Sequence, residues 1–303
     1  MSLLQLWPII EAVLILIVFG FAILRLWRGI KARAKNPLPR PTTLTGWLRA
    51  GGMYLFRIVG FTAGLMLAVF LVITVERSIF TVLHDSTPAP SEVNVPPDLE
   101  FEVEEVTFES DGLTLAGWYV PPQNGATIIL LHGYGGNRTG TLWHARQLVP
   151  AGYGVLMYDE RASGESEGTR RTYGWEDPRD VGAAIGFIEA RPESSQGRIG
   201  IVGCSIGGQI ALQGAAYHPE IGAVWADGAS TVRAQDYPAP NLVFGLIKTG
   251  NYLVDWMSAL AFDMDAPKPM IEIIGTIAPR PIMLVGGGQP ITALGSEEVL
   301  QSR

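Results

Sequence analysis

Within the 303-residue chain, the stretch best suited to chemistry is Gly203-Cys204-Ser205-Ile206-Gly207. It ends an apolar run from Arg198, which reads as a buried parallel strand. It then leads into a small-residue helix that ends near Tyr217. A serine hydroxyl acts as a nucleophile when a sharp strand-to-helix turn lifts it clear of the sheet and a base stands nearby. The two glycines keep side chains out of the space where strand and helix nearly touch. Ile206 follows the serine, so its backbone N–H opens the helix and points toward the place where an oxyanion would form. The implied chemistry is attack on a carbonyl carbon. Cys204, the single cysteine, lies beside the nucleophile position and reads as a small buried filler. Its being alone excludes an intrachain disulfide.

Two further stretches have the same context, an apolar run followed by a polar, glycine-rich loop. His132-Gly133-Tyr134-Gly135-Gly136 follows Ala126–Leu131, and Asp159-Glu-Arg-Ala-Ser-Gly-Glu-Ser166 follows Gly154–Tyr158. The ends of neighbouring parallel strands leave a crevice. The surrounding pattern supplies such strands. Phe101–Glu109 and Leu113–Val120 flank Asp111-Gly112 as a hairpin. Helices are expected over 139–151 and 176–190, and further strands over 221–226 and 281–285. Strands alternating with helices predict a parallel sheet covered on both faces. Residues 229–274 break that rhythm and read as an inserted cap.

The three loops, in this order, resemble the α/β-hydrolase fold over residues ~100 to 303. The finer likeness is to membrane-anchored or serine-aminopeptidase-like members. The resemblance implies a doubly wound, mostly parallel sheet, with Ser205 as nucleophile and the backbone N–H groups of Tyr134 and Ile206 as oxyanion hole. It implies that His132 shapes its loop and is not the base. Asp159–Ser166 resembles the family's D-x-R-G-x-G-x-S loop, with Ala162 in place of a glycine. No cofactor is implied. The substrate would be a small-molecule or lipid-like acyl compound.

The family's acid and histidine come late in the chain. After Pro281–Val285 the acids are Glu297 and Glu298, and Asp227, at the end of the preceding strand, is the alternative. Glu297 and Glu298 also read as the start of a surface helix capped by Ser296. The only histidine after Ser205 is His218, about three helical turns away at the far end of the elbow helix. The expected base is therefore absent, and the reading expects a C-terminal truncation. The alternative is a fold kept for binding without catalysis.

Composition completes the picture. The chain is 48% hydrophobic and 17% charged, with mean hydropathy +0.23, which points to membrane segments. Two apolar runs, about 3–26 and 55–76, are long enough to cross a bilayer as helices. The basic loop 27–52 between them holds no acidic residue and is expected in the cytoplasm. Both the N-terminus and the globular part then lie outside, joined by a linker over 81–100. The net charge of −7 gives no reason to expect nucleic acid. The four scattered histidines form no metal motif. Trp143, Trp175, Tyr237, Phe244, Tyr252 and Trp256 could line an acyl pocket or belong to the ordinary core.

Overall fold

Two long helices dominate the N-terminal part: α1 (Leu3–Lys35) and α2 (Leu44–Phe80). The computed structural model describes residues 3–35, 41–80, 82, 86–194 and 197–286. The chain divides into units 1–84 and 85–303. Both helices outrun the apolar stretches that predict them. Leu, Arg, Lys and Ala make up most of Arg25–Lys35 and favour a helix enough to carry it past Gly29, so α1 continues to Lys35, just short of Asn36-Pro37. The hydroxyl of Thr43 accepts from the Gly46 amide at 3.1 Å and caps the start of α2. The segment expected as a basic loop over 27–52 is thus largely helix. Among the described residues, α2 alone is long and apolar enough to cross a bilayer. It carries no ionisable side chain from Ile58 to Val75. The second expected span falls on α1, which is helical but does not meet that requirement over its described residues.

The second unit holds β1 (Ala89–Pro90), β2 (Glu104–Ser110), β3 (Leu113–Val120), β4 (Ala126–Leu131), β5 (Gly154–Tyr158), β6 (Ser163–Gly164), β7 (Arg198–Cys204), β8 (Ile221–Asp227) and β9 (Ile282–Val285). Its helices are α3 (Leu142–Leu148), α4 (Asp177–Glu189), α5 (Ile206–Tyr217), α6 (Leu242–Phe262) and α7 (Met270–Ile273). Seven strands form one sheet in the order β2-β3-β5-β4-β7-β8-β9. β3 runs antiparallel to β2 and β5, and the remaining neighbours are parallel. Asp111 and Gly112 both take positive φ, +49° and +78°, as a two-residue hairpin turn between right-twisted strands demands.

The sheet is covered on both sides because its strands are apolar on both. Ile199 and Ile201 of β7 join the core under α4 and α5. Val202, pointing the other way, packs with Trp118, Leu130 and Ala145 of α3. All of β5 is buried. One expectation needs correcting. The stretch 81–100 is not wholly a free linker: β1 pairs in parallel with β6, Ala89 opposite Ser163 and Pro90 opposite Gly164.

Candidate active site

β4 and β7 are hydrogen-bonded neighbours, with Leu131 opposite Gly203, so the loops that leave them emerge side by side. Ser205, between β7 and α5, sits at φ +55°, ψ −116°, a conformation that L-residues rarely adopt and that costs about 1–3 kcal/mol. Two hydrogen bonds hold it there. The Ser205 amide donates to the Asp227 carbonyl at 2.7 Å, and the Ser205 carbonyl accepts from the Gln209 amide at 3.1 Å. The glycines have the predicted role. A Cβ on Gly203 would collide with the Gly207 carbonyl, and one on Gly207 would sit 2.5 Å from the His132 carbonyl oxygen. Ile206 starts α5, so its amide is among those that lack an intrahelical acceptor.

The loop after β4 abuts this turn. A Cβ on Gly133 would lie 3.6 Å from the Ser205 Cβ and 3.5 Å from the Cys204 carbonyl. The Gly136 amide donates to the Gly133 carbonyl at 3.1 Å, closing a turn in which Gly135 has φ +63°. His132 holds the turn from below. Its Nε2 accepts from the Glu160 amide at 3.1 Å, so the proton sits on Nδ1, which donates to the Gly133 carbonyl at 2.9 Å. Burial pushes this imidazole below its ordinary pKa. Both nitrogens are engaged, which fits a loop-shaping residue. Tyr134, next in the loop, stacks on Tyr173 with ring centroids 5.5 Å apart, and the Arg171 guanidinium lies over both rings. The Tyr173 carbonyl accepts from Gln209 Nε2 at 2.8 Å, which seats this aromatic pair against the first turn of α5.

The third loop ties the others together. The Asp159 carboxylate accepts from the Arg138 amide at 2.6 Å and the Glu165 amide at 2.9 Å, and pairs with the Arg138 guanidinium. Arg161 bonds Asp180 of α4 through two nitrogens, at 2.8 and 2.7 Å. Ala162, where the resembled loop has glycine, takes φ +56° and is buried. Glu160 is buried with its Oε1 unpartnered, and burial pushes its carboxyl well above the usual range.

The candidate acids fare differently. Asp227 is adjacent: it pairs with Cys204 in register, and its carboxylate lies 3.7 Å from His144 Nε2 on α3. Burial, and then the charge of Asp227, raise the Cys204 thiol pKa, in keeping with an inert filler. Glu297 and Glu298 lie outside the described residues. Among the described residues no side chain hydrogen-bonds Ser205 Oγ. His218 bonds the Pro178 carbonyl at 3.0 Å at the far end of α5. Sequence reasoning missed His144, because nothing in Trp143-His144-Ala145 marks a histidine that will meet the end of a distant strand. It missed Tyr173 as well, although Tyr173-Gly174 is a turn signal next to Arg171. Of the aromatic candidates, Trp143 stands edge-on to Trp225 and His144, on the α3 side of the sheet, and Trp175 stands edge-on to Phe262. Among the described residues no cluster of His, Cys, Asp and Glu is placed to hold a metal ion.

A strained serine between a parallel strand and a helix, with a glycine loop from the neighbouring strand against it, places this protein among the α/β-hydrolases. The model of the X-Pro dipeptidyl-peptidase (S15) family matches residues 111–263, half of the chain, and the chain belongs to that family. It is 35% identical over 118 residues to the uncharacterized protein YfhR of Salmonella typhimurium, covering 37% of this chain and 40% of that one. It is 32% identical over 126 residues to the thiohydrolase aneE of Aspergillus aculeatus, covering 40% of this chain and 38% of that one. The match thus spans about 40% of the length of these relatives. Among solved structures, the Pyrococcus furiosus esterase Pf2001 superposes with a TM-score of 0.57 at 25% identity, over 71% of this chain and 83% of that one.

Proposed function

We propose that this protein is a membrane-anchored serine hydrolase that opens an ester, thioester or amide through an acyl-enzyme on Ser205. The observation that carries the reading is the backbone of Ser205 at φ +55°, ψ −116°, a cost worth maintaining only where a side chain must be presented. In the first step Oγ attacks the carbonyl carbon, and its proton passes to a general base. The amides of Tyr134 and Ile206 receive the negative charge on the carbonyl oxygen. The leaving group departs with a proton, and water then releases the acid from the serine ester. Asp227, whose carbonyl accepts from the Ser205 amide, is the described candidate to orient the base, with Glu297 and Glu298 as the other candidates. The family to which the chain belongs, the similar esterase and the similar thiohydrolase support an acyl substrate, and between them they leave its leaving group open.

Anchoring rests on α2, with α1 as a second span, and the basic stretch around 27–52 on the cytoplasmic side. Labelling by a fluorophosphonate probe tests the chemistry in membranes that carry the full gene product. Labelling that disappears in Ser205→Ala is expected. Labelling that persists in that variant removes Ser205 as the nucleophile.

A further inference from the structure

Helix α6 is built inside out. Its charged side chains turn toward the protein: Asp255 accepts from Arg233 Nε and the Ala234 amide, both at 3.0 Å, and Lys248 Nζ donates to the carbonyls of Gln235 and Tyr237. Ser258 is also buried. The side turned to solvent is apolar except for Thr249, whose hydroxyl donates to the Gly245 carbonyl of its own helix at 2.8 Å. Leu242, Leu246, Trp256 and Leu260 fall on one helical stripe, 79%, 42%, 60% and 63% exposed. A helix whose charged side chains face inward and whose outer side carries no charge is the reverse of a normal surface helix.

The surroundings of α6 say what covers it. Arg170 donates to the carbonyls of Ala261 and Phe262 and lies over the Phe262 ring, fixing the C-terminal end of the helix. The next residue, Arg171, receives the incoming chain: its amide donates to the Ser86 carbonyl and its Nε to the Thr87 carbonyl. Arg171 also lies over Tyr134 and Tyr173, beside the elbow. The docked tether, the end of α6 and the mouth of the Ser205 site therefore share one side of the hydrolase unit. Residues 81–85 alone separate the end of α2 from Ser86, and the step from Phe80 to Ser86 reaches at most about 20 Å.

We infer that the outer side of α6 rests in the headgroup–acyl boundary of the same bilayer that α2 enters, bringing the mouth of the Ser205 site to the membrane surface. The inference rests on the proposal that α2 crosses a bilayer. A bilayer is the occupant that fits, because the outer stripe carries no Arg or other charge and the Thr249 hydroxyl is bonded within its own helix, unlike the polar rim of a protein interface, while Leu and Trp suit an interfacial helix. Asp263 and Asp265, which follow the helix and are exposed, favour zwitterionic over anionic lipid.

The test uses the full chain, one copy per phosphatidylcholine nanodisc. Spin labels are placed singly at Leu67→Cys in α2, Leu246→Cys and Leu260→Cys in α6, and Glu189→Cys in α4, in a Cys204→Ala background. Labels at 67, 246 and 260 should be relaxed more by oxygen than by a water-soluble nickel complex, and the label at 189 the reverse. A lipid-exposed label at 67 with nickel-exposed labels at 246 and 260 overturns this inference and leaves anchoring intact. A nickel-exposed label at 67 overturns both. Labels at 246 and 260 shielded from both relaxants show a protein partner and also overturn it. Without any introduced cysteine, brominated phosphatidylcholine should quench the wild-type chain more than Trp256→Phe. Equal quenching counts against the bilayer.

Discussion

Replacing Ser205 by glycine should stabilise the protein relative to replacing it by alanine, although both changes remove the proposed nucleophile. The native residue sits at φ +55°, ψ −116°, where an L-residue carries about 1–3 kcal/mol of strain. Alanine keeps the Cβ and hence the strain. It removes only a hydroxyl that has no hydrogen-bond partner among the described residues, so its own effect should be small. Glycine removes the Cβ and relieves the strain, but its freer unfolded chain returns about 0.4–1 kcal/mol. The net advantage of Ser205→Gly over Ser205→Ala is therefore about 1–2 kcal/mol. For a unit of this size that is ~3–6 °C in the midpoint of thermal unfolding. The assay is intrinsic fluorescence of the full chain in detergent during a slow temperature ramp, with both variants first shown to have lost probe labelling. If Ser205→Gly melts at or below Ser205→Ala, the turn is not strained, and the main structural reason for assigning Ser205 a catalytic task fails.

Four further outcomes are expected. Gly207→Ala, whose Cβ would lie 2.5 Å from the His132 carbonyl, should lose about 3 kcal/mol in denaturant titrations. Gly186→Ala, in α4 with nothing within 4 Å of its Cβ, should gain up to ~1 kcal/mol by the same measurement. Asp159→Asn strips a buried partner from Arg138 and should cost about 3 kcal/mol, whereas Asp111→Asn, which loses only an exposed pair with Arg179, should cost under ~1 kcal/mol. Glu160 has a raised folded-state pKa, so the folded state holds its proton after the unfolded chain has released it. Stability is complete below the unfolded value near 4.5 and falls as pH rises above it, by up to about 1.4 kcal/mol per unit, until the folded group ionises. Glu160→Gln should flatten that fall, and denaturation midpoints from pH 5 to 9 that decline equally in both proteins would refute the assignment.

How much of this was readable from the amino-acid sequence depends on the range of each interaction. The strand–elbow–helix unit 198–217 was legible almost to the residue, because apolar runs bounded by glycine act locally. So was the Asp111-Gly112 turn. The loop 132–136 was legible as a motif, and its approach to Ser205 follows from β4 and β7 being neighbours. What escaped was set by long-range pairing. The Ala89-Pro90 ladder on Ser163-Gly164 leaves no periodic trace in a Pro-rich stretch. His144 meets Asp227 only through the crossing of α3 over the sheet. The ends of α1 and α2 escaped because hydropathy marks where a helix can enter lipid and not where its hydrogen bonding stops.

The loop Asp159–Ser166 shows why such a site needs more than its nucleophile. Its Asp159 fixes Arg138, at the start of the segment that follows the Gly133–Gly136 turn. Its Glu160 amide fixes the tautomer of His132, which in turn holds the Gly133 carbonyl. Its Arg161 locks onto α4 through Asp180, and its Ser163 and Gly164 receive the incoming chain at Ala89 and Pro90. None of these residues is placed to touch a carbonyl at Ser205. Yet an amide displaced by a fraction of an ångström no longer stabilises an oxyanion well, and amides of a loop are only as fixed as their supports. The buried charges of this loop are costly as stabilising elements. Their value lies in geometry, since a directional ion pair or hydrogen bond specifies one arrangement where apolar packing would accept several. By the same logic, Asp159→Asn should lower the rate of probe acylation at Ser205 under conditions where the protein remains folded.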